Sequence, residues 1–185
     1  LRFAKHLNVI VGENGTGKTH ILKAAYTGLA VSAQRSRENL SANQNRNSFT
    51  QALIQKLEGV FRPDAIGRLV RRARGRNKGS VSYKFSQAEM DFTFTVSTLS
   101  NLYIDDVPRS RVKKHPVFIP TRELLTIAPG FVSLYETSHL PFEETWRDTC
   151  LLLQAPLVRG PREKGIGQLL PPLEIAMGGK LSTDK

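Results

Sequence analysis

Residues 7–19 read LNVIVGENGTGKT, and this stretch decides the fold. The run at 7–11 is short, apolar and rich in Val, and it ends at a glycine, which predicts a buried strand. Residues 12–19 match G-x-x-x-x-G-K-[ST], the pattern of a phosphate-binding loop. The segment that follows, ILKAAYTGLAVSA, predicts a helix of three to four turns with an apolar face formed by Ile21, Leu22, Ala25, Leu29 and Ala30. The order strand, glycine loop, helix predicts an α/β domain that binds nucleotide phosphates.

Each position of the loop has a physical role. Glycines let backbone N–H groups converge on phosphate oxygens, and the helix that follows adds its positive N-terminal end. Lys18 is expected to reach the β- and γ-phosphates of a nucleotide, and the Thr19 hydroxyl is expected to bind Mg²⁺. His20 follows the loop, and for this residue the alternative is a first-turn helix residue with no catalytic role. The predicted nucleotide-binding residues are Gly12, Glu13, Asn14, Gly15, Thr16, Gly17, Lys18, Thr19 and His20.

The chain is strongly basic, and its charge is unevenly distributed. It carries 27 Lys and Arg against 16 Asp and Glu, a formal net charge of +11. Residues 31–84 hold twelve basic and three acidic side chains, whereas residues 85–185 hold eleven and twelve. Within the first stretch, residues 62–78 (the basic segment) form the densest cluster, which predicts an anionic partner. The candidate DNA-binding residues are Arg68, Arg71, Arg72, Arg74, Arg76 and Lys78, and a solvated helix face or a surface for an acidic protein remains the alternative.

Composition excludes several classes of protein. The chain has 185 residues, 39% of them hydrophobic, enough to bury a core, and no window approaches the length of a membrane span. A single cysteine, Cys150, cannot form an internal disulfide and is expected in the core. No secretory pattern precedes the first strand, so a cytoplasmic protein is expected. Because the first residues already read as strand, we expect the native start to lie upstream.

The remaining elements follow from changes of hydrophobic period. A polar loop is predicted over 33–47, then a helix capped by Ser48 with Phe49, Leu53, Leu57 and Val60 on one face. A second short helix is predicted from Pro63 to Gly75, with its arginines opposite an apolar face. Alternation over 81–106 predicts an antiparallel meander of three strands ending in a turn near Asp106. Residues 116–120 (PVFIP) predict another buried strand, and the region from Pro141 predicts a helix with Glu143, Glu144 and Asp148 on its polar side.

Several stretches resemble a known family. NVIVGENGTGKTHILKAAY resembles the start of the ABC-type ATPase heads of the SMC, RecF and OLD-like group, which typically carry a G-x-N-G-x-G-K-[ST] loop. VFIPTRELLTIAPGFVSLYE, PFEETWRDTC and LLLQAPLVRGP resemble bacterial stand-alone AAA-family ATPases of that group, several of which belong to phage-defence systems. The resemblance spans about 7–180. It implies a P-loop NTPase fold with an antiparallel meander subdomain and helical additions.

The resemblance also implies an organisation along the chain. We expect a partial ATPase head over 1–185, with the strand, phosphate loop and first helix at 1–32 and a helical, basic insertion at 33–79. The meander would occupy 80–106, and a strand followed by a mainly helical part would occupy 107–185. By the same resemblance, the loop Thr121, Arg122 and Glu123 is expected near the nucleotide as a γ-phosphate sensor. A helix start capped by Thr121 is the alternative.

Two motifs of such heads are not found in the sequence, the Walker B strand and the ABC signature. Residues 102–106 (LYIDD) imitate Walker B, but their place in the meander favours a hairpin turn. Residues 165–168 and 178–180 imitate the signature, and a linker or helix stop is the favoured interpretation. The catalytic residues are therefore unknown, and this chain alone is expected to hydrolyse ATP poorly.

The function predicted on this basis is Mg-ATP binding and hydrolysis coupled to DNA or an effector protein, with two heads sandwiching two nucleotides in a homodimer. A nucleotide-gated DNA- or protein-binding module with negligible turnover is the alternative. A P-loop kinase is a further alternative and would need a lid arginine, for which Arg122 is the candidate. The three differ in where the γ-phosphate goes: to water, nowhere, or to an acceptor.

Overall fold

The structure is a computed structural model that describes residues 1–34, 42–71, 73–120, 124, 127–138, 140–155, 171–172, 175 and 178. The chain divides into two compact units, Leu1–Leu153 and Gln154–Lys185. The second unit is described only at a few positions, so the fold and the site below belong to the first.

Four α-helices and one three-stranded sheet lie between residues 18 and 154 of the described part of the chain. The helices are α1 (Lys18–Gln34), α2 (Ala42–Phe61), α3 (Ala128–Thr137) and α4 (Glu144–Gln154). The strands are β1 (Lys78–Tyr83), β2 (Phe92–Ser97) and β3 (Leu102–Asp106). Short 3₁₀ turns at Ile66–Leu69 and Ala88–Met90 lie before β1 and β2.

The predicted antiparallel meander is confirmed. β2 lies in the centre, pairing with β1 from Lys78 opposite Ser97 to Tyr83 opposite Phe92, and with β3 on its other side. A register shift between Thr93 and Phe94 interrupts the second pairing. β3 is itself a strand, so the prediction of a hairpin turn at 102–106 is wrong. The turn lies just before it, where the Ser100 amide donates to the Ser97 carbonyl at 3.0 Å.

The main core forms between α2 and one face of the meander. Its buried residues alternate along β2, which explains the period of two, and recur along α2 at helical spacing. Phe49 meets Phe92 edge-on at 5.3 Å between ring centroids, and Tyr83 stacks on Phe92 at 4.6 Å. This core consists of Val31, Phe49, Leu53, Leu57, Ile66, Val70, Phe92, Phe94, Val96 and Ile104.

Two smaller apolar clusters complete the packing. One joins α3 to α4 through Phe131 and Cys150, with Phe142 and Trp146 against it. The fully buried position of Cys150 confirms its predicted place in a core. The other joins α1 to α2 through Tyr26, Ala30 and Val60. Together these clusters hold both long helices, and thus the start of α1, in place.

Neither predicted buried strand forms a sheet. Leu7, Val9 and Val11 are 79%, 74% and 88% exposed, and Val117 and Ile119 are also exposed. A strand of a parallel sheet is buried only when neighbouring strands and helices cover it. Among the described residues the meander is the sole sheet, so neither segment has a strand to pair with.

Three helix predictions also need correction. α2 begins at Ala42, so Ser48 lies inside the helix and the loop predicted over 33–47 is helical at both ends, with 35–41 outside the described residues. The helix predicted from Pro63 to Gly75 is a single 3₁₀ turn, because the chain turns extended at Val70, with φ −94° and ψ 134°. α3 was not predicted, since Pro129 and Gly130 break its first turn.

The buried face of α1 differs from the predicted one. Leu22 is 48% exposed, whereas Lys23, Tyr26, Thr27, Gly28, Ala30 and Val31 are buried. Because Lys23 is polar, the spacing of the apolar residues places it on the outward-facing side of the helix. Lys23 is buried nevertheless, because its ammonium pairs with Glu143, the residue just before α4.

Gly28→Ala is expected to destabilise the protein by about 1–2 kcal/mol. A Cβ at this position would lie 2.3 Å from the Tyr83 ring, which is held by its stacking on Phe92 and by its hydrogen bond to the Ala24 carbonyl at 2.8 Å. Overpacking costs about 1–3 kcal/mol and exceeds the helix-propensity gain of about 1 kcal/mol. Urea denaturation measures the loss. In a Tyr83→Val background the same change should be neutral or stabilising, and an equal loss there would contradict the clash.

Candidate nucleotide-binding site

The phosphate loop adopts the backbone conformation that its glycines permit. Gly15 and Gly17 have φ values of 80° and 87°, in the left-handed region that side chains with a Cβ rarely adopt. α1 begins immediately afterwards at Lys18, and the Ile21 amide donates to the Gly17 carbonyl at 3.1 Å. The loop therefore ends at a helix N-terminus, where free N–H groups and the helix dipole favour an anion.

Lys18 folds back over the loop. Its ammonium donates to the carbonyl oxygens of Gly12 and Glu13 at 2.7 and 2.6 Å. The Thr16 hydroxyl also donates to the Glu13 carbonyl, at 2.8 Å. These bonds place a cation at the centre of the loop, on acceptors that a phosphate can replace.

Thr19 and His20 occupy the first turn of α1, and both are exposed. The Thr19 hydroxyl makes no hydrogen bond to another of the described residues, so none of them competes with a ligand for its oxygen. The His20 ring lies 5.7 Å from that of Phe61, at the end of α2. His20 therefore contacts the neighbouring helix.

The predicted sensor loop, Thr121, Arg122 and Glu123, lies outside the described residues. The chain just before it is anchored, because the Thr149 hydroxyl donates to the Phe118 carbonyl at 2.7 Å. The Phe118 ring packs against Tyr26 of α1 at 5.6 Å. These contacts hold residues 118–120 against the helix that follows the phosphate loop.

A cavity of about 340 Å³ opens beside Thr19. Its walls are mainly apolar, from prolines and aromatic rings, while Thr19, Lys23 and Glu143 are its polar residues. The lining residues are Thr19, Lys23, Phe118, Pro120, Pro141, Phe142, Glu143 and Trp146. The cavity thus joins the start of α1 to residues 118–120 and to the start of α4.

A cluster of charged side chains behind the loop was missed by the sequence analysis. The Lys23 ammonium pairs with Glu143, and the Lys56 ammonium pairs with Glu144 at 3.1 Å and Asp148 at 2.6 Å. This charge cluster connects α1 and α2 to α4 and consists of Lys23, Lys56, Glu143, Glu144, Arg147 and Asp148. The acidic side of α4, predicted only as its polar side, therefore packs inward, because buried lysines of two other helices neutralise it.

The charge cluster also shifts protonation equilibria. Burial alone would raise the pKa of Asp148, but hydrogen bonds from Lys56 and Tyr26 and the charge of Lys56 outweigh it, so the pKa of Asp148 is lowered. Burial and the nearby Asp148 raise the pKa of the Tyr26 hydroxyl, which donates to that carboxylate. Asp148 is consequently ionised and Tyr26 protonated at neutral pH.

Acid is expected to destabilise the protein through Asp148. Because its pKa is lower in the folded state than the usual value of about 3.9, its contribution to stability is complete above that value and is lost as the pH falls through the folded-state pKa. Urea denaturation between about pH 5 and pH 3 should show a shallower pH dependence for Asp148→Asn than for the wild type. Asp64→Asn, at an exposed position, is the control. Equal slopes for all three proteins would contradict the assignment.

The basic segment is exposed. Arg62, Arg68, Arg71, Arg74, Arg76 and Lys78 all face solvent, and Arg72 lies outside the described residues. Since no helix spans 63–75, the arginines do not share a helix face, and the prediction of such a face is wrong. Arg62 donates to the Leu140 carbonyl at 3.2 Å, so it serves a structural contact as well.

The imitations of the missing motifs gain no support as catalytic sites. Asp105 and Asp106 are exposed at the end of β3, on the edge of the meander. Of the signature imitations, only Gly178 is described. Within the described ranges, no group of three or more His, Cys, Asp or Glu residues could hold a metal ion.

The comparisons with known proteins agree with the loop geometry. The sequence model of the family described as AAA domain matches residues 1–115, which is more than half of the chain. No curated protein and no solved structure matches the chain. No helix in the described part of the chain is long and apolar enough to cross a membrane.

Proposed function

Because the chain belongs to the AAA-domain family of P-loop ATPases, we propose that it binds Mg-ATP at residues 12–19 and hydrolyses it to control the binding of DNA or an effector protein. The observation that carries the proposal is the Lys18 ammonium, held over a loop of positive-φ glycines at the N-terminus of α1. This arrangement supplies backbone donors, a helix dipole and a lysine cation to one anionic group.

The described residues also fit a magnesium ion. Mg²⁺ prefers oxygen ligands, retains several waters and is usually bound through few protein groups plus substrate phosphates. The exposed, unbonded hydroxyl of Thr19 is such a ligand, one residue after the lysine. Magnesium would neutralise phosphate charge there. Lys18 would exchange its bonds to the loop carbonyls for phosphate oxygens, and the α1 N-terminus would orient the phosphates.

The proposed DNA contact is the basic segment. Its exposed arginines can each form paired hydrogen bonds with phosphate oxygens, and its net charge attracts a polyanion. The segment follows α2 directly, and α2 packs along α1, whose first residue is Lys18. The proposed nucleotide site and the proposed DNA contact would therefore lie on elements that pack in the same core.

Replacing Arg68, Arg71 and Arg74 by Glu is expected to weaken duplex DNA binding and flatten its salt dependence. Each lost phosphate contact lowers the slope of log K against log salt by about 0.9, so the slope should fall by about 2–3. Fluorescence anisotropy at several salt concentrations measures both quantities. The matched control replaces the exposed Arg109, Arg111 and Lys113 by Glu, with the same change of net charge. Equal effects of the two triple variants would place the DNA contact elsewhere.

The finer identity is also a proposal. We propose an SMC/RecF/OLD-like head, which the G-E-N-G-T-G-K-T loop supports, with two heads sandwiching two nucleotides in a homodimer. We also propose a role in phage defence, which the resemblance of residues 117–136 supports. Residues 121–123 are proposed to sense the γ-phosphate, since Pro120 immediately before them lines the cavity with Thr19. Sedimentation with and without Mg-ATP tests the dimer: a nucleotide-dependent increase in mass supports it, and an unchanged mass contradicts it.

A nucleotide-gated binding module is the second candidate. The observation that favours it is the exposed, edge position of Asp105 and Asp106, which leaves the described residues without a Walker B carboxylate at the loop. Phosphate release in the presence of Mg-ATP and duplex DNA separates the two candidates. Sustained release supports the ATPase, whereas nucleotide binding without release supports the module.

A further inference from the structure

The cavity beside Thr19 contains one acidic side chain among its lining residues, that of Glu143. Glu143 precedes α4, and its side chain is 35% exposed, so the carboxylate is accessible from the cavity. Thr19 lies in the same lining, one residue after the lysine of the phosphate loop. The fold thus places a carboxylate that is 124 positions away in the chain in the lining of the same cavity as the hydroxyl assigned to magnesium.

The carboxylate is fixed and still has acceptor capacity. Lys23, one helical turn after Thr19, pairs with its Oε1, and the Thr145 hydroxyl donates to its Oε2 at 3.3 Å. An ionised carboxylate offers about four acceptor positions, so these two bonds leave others for water. The Lys23 side chain is only 10% exposed, and its ammonium lies 5.9 Å from the centre of the Phe61 ring. Its packing therefore fixes the position of the ammonium that pairs with Glu143.

These features match what a hydrated magnesium ion needs from a protein. Magnesium releases its waters reluctantly, and carboxylates outside the first coordination sphere commonly accept hydrogen bonds from those waters. Other lining residues of the cavity, such as Phe142 and Trp146, are apolar. Among the lining residues, Glu143 is therefore the one carboxylate to which these waters could donate.

We propose that Glu143 is a positioning residue for the magnesium–nucleotide complex, accepting hydrogen bonds from magnesium-bound waters while Lys23 holds its carboxylate in place. This inference rests on the proposed function of the phosphate loop. It gives Glu143 a role in binding the metal complex in addition to its ion pair with Lys23.

The test is the magnesium dependence of ATP affinity, measured by titration of the whole chain with ATP in EDTA and at increasing Mg²⁺. For Glu143→Gln we expect unchanged affinity in EDTA and a magnesium half-saturation about 10-fold or more higher, the usual size of effects at outer-sphere ligands. Glu144→Gln is the matched control, since its carboxylate pairs with Lys56 and does not line the cavity. It should leave the magnesium dependence unchanged.

A second variant separates positioning from folding. Lys23→Gln with Glu143→Gln removes both charges of the pair, so no buried charge is left alone, and the magnesium effect should persist. Lys23→Gln by itself keeps the carboxylate but removes the ammonium that holds it, so the magnesium half-saturation should rise, though less than for Glu143→Gln. If Glu143→Gln weakens ATP binding equally in EDTA and in Mg²⁺, or not at all, the proposal is wrong while the nucleotide site stands. If the wild type does not bind ATP, the proposed function and this inference both fail.

Discussion

Lys18→Ala is expected to abolish Mg-ATP binding, with a loss of at least about a hundredfold in affinity. Lys18 is the cation of the loop, and its ammonium is within 2.7 Å of two loop carbonyls that a phosphate would displace. A hydrogen bond to a charged group contributes about 1.5–3 kcal/mol, so two lost bonds account for about two orders of magnitude or more. Titration with Mg-ATP measures the loss directly.

The fold should survive this change. The hydrogen bonds of the Lys18 side chain end on loop carbonyls, outside the three apolar clusters, so the circular dichroism spectrum should be unchanged. Lys84→Ala, at an exposed position after β1, is the control and should bind ATP normally. Retained affinity in Lys18→Ala would refute the site assignment.

Lys56→Ala is expected to be the most destabilising of the changes considered, by about 3–5 kcal/mol. The Lys56 side chain is 4% exposed and neutralises Glu144 and Asp148, each 15% exposed. Without Lys56, the two carboxylates share the single charge of Arg147, so one partly buried negative charge is left uncompensated, which costs about that much. The loss appears as a lower urea midpoint, and Lys78→Ala, exposed at the start of β1, is the control.

A compensating variant checks the cause. Lys56→Met and Arg147→Met combined with Glu144→Gln and Asp148→Asn remove two charges of each sign and keep the side-chain volumes similar. It should recover much of the stability, because neutral replacements of whole buried ion clusters are often tolerated. If Lys56→Ala costs less than about 1 kcal/mol, the charge cluster does not hold α4 to the first two helices.

The sequence predicted those features that depend on neighbouring residues. The phosphate loop is local, since its glycines and Lys18 are consecutive, and the structure gives Gly15 and Gly17 the positive φ that the motif requires. The meander follows from strict alternation along β2, where one face is buried. The buried face of α2 follows from Phe49, Leu53 and Leu57, whose apolar spacing matches one helix face.

The features that were missed depend on residues distant in the chain. Lys23 is polar, so its burial could not be foreseen without Glu143, and the same holds for Lys56 and Asp148. The segments 7–11 and 116–120 have the composition of buried strands. A strand also needs neighbouring strands to pair with, and the composition of a segment does not show whether those neighbours exist. The extended backbone of Val70 ends the helix predicted from Pro63, although its apolar spacing continues beyond that residue. Pro129 and Gly130 interrupt the first turn of α3 in the same way.

The central claim is that residues 12–19 bind a magnesium nucleotide. Calorimetric titration of the chain with ATP, with and without Mg²⁺, tests it most directly. We predict saturable binding of one nucleotide per chain, strengthened by Mg²⁺ and lost in Lys18→Ala. Absence of saturable binding, or equal binding by the wild type and Lys18→Ala, would contradict it.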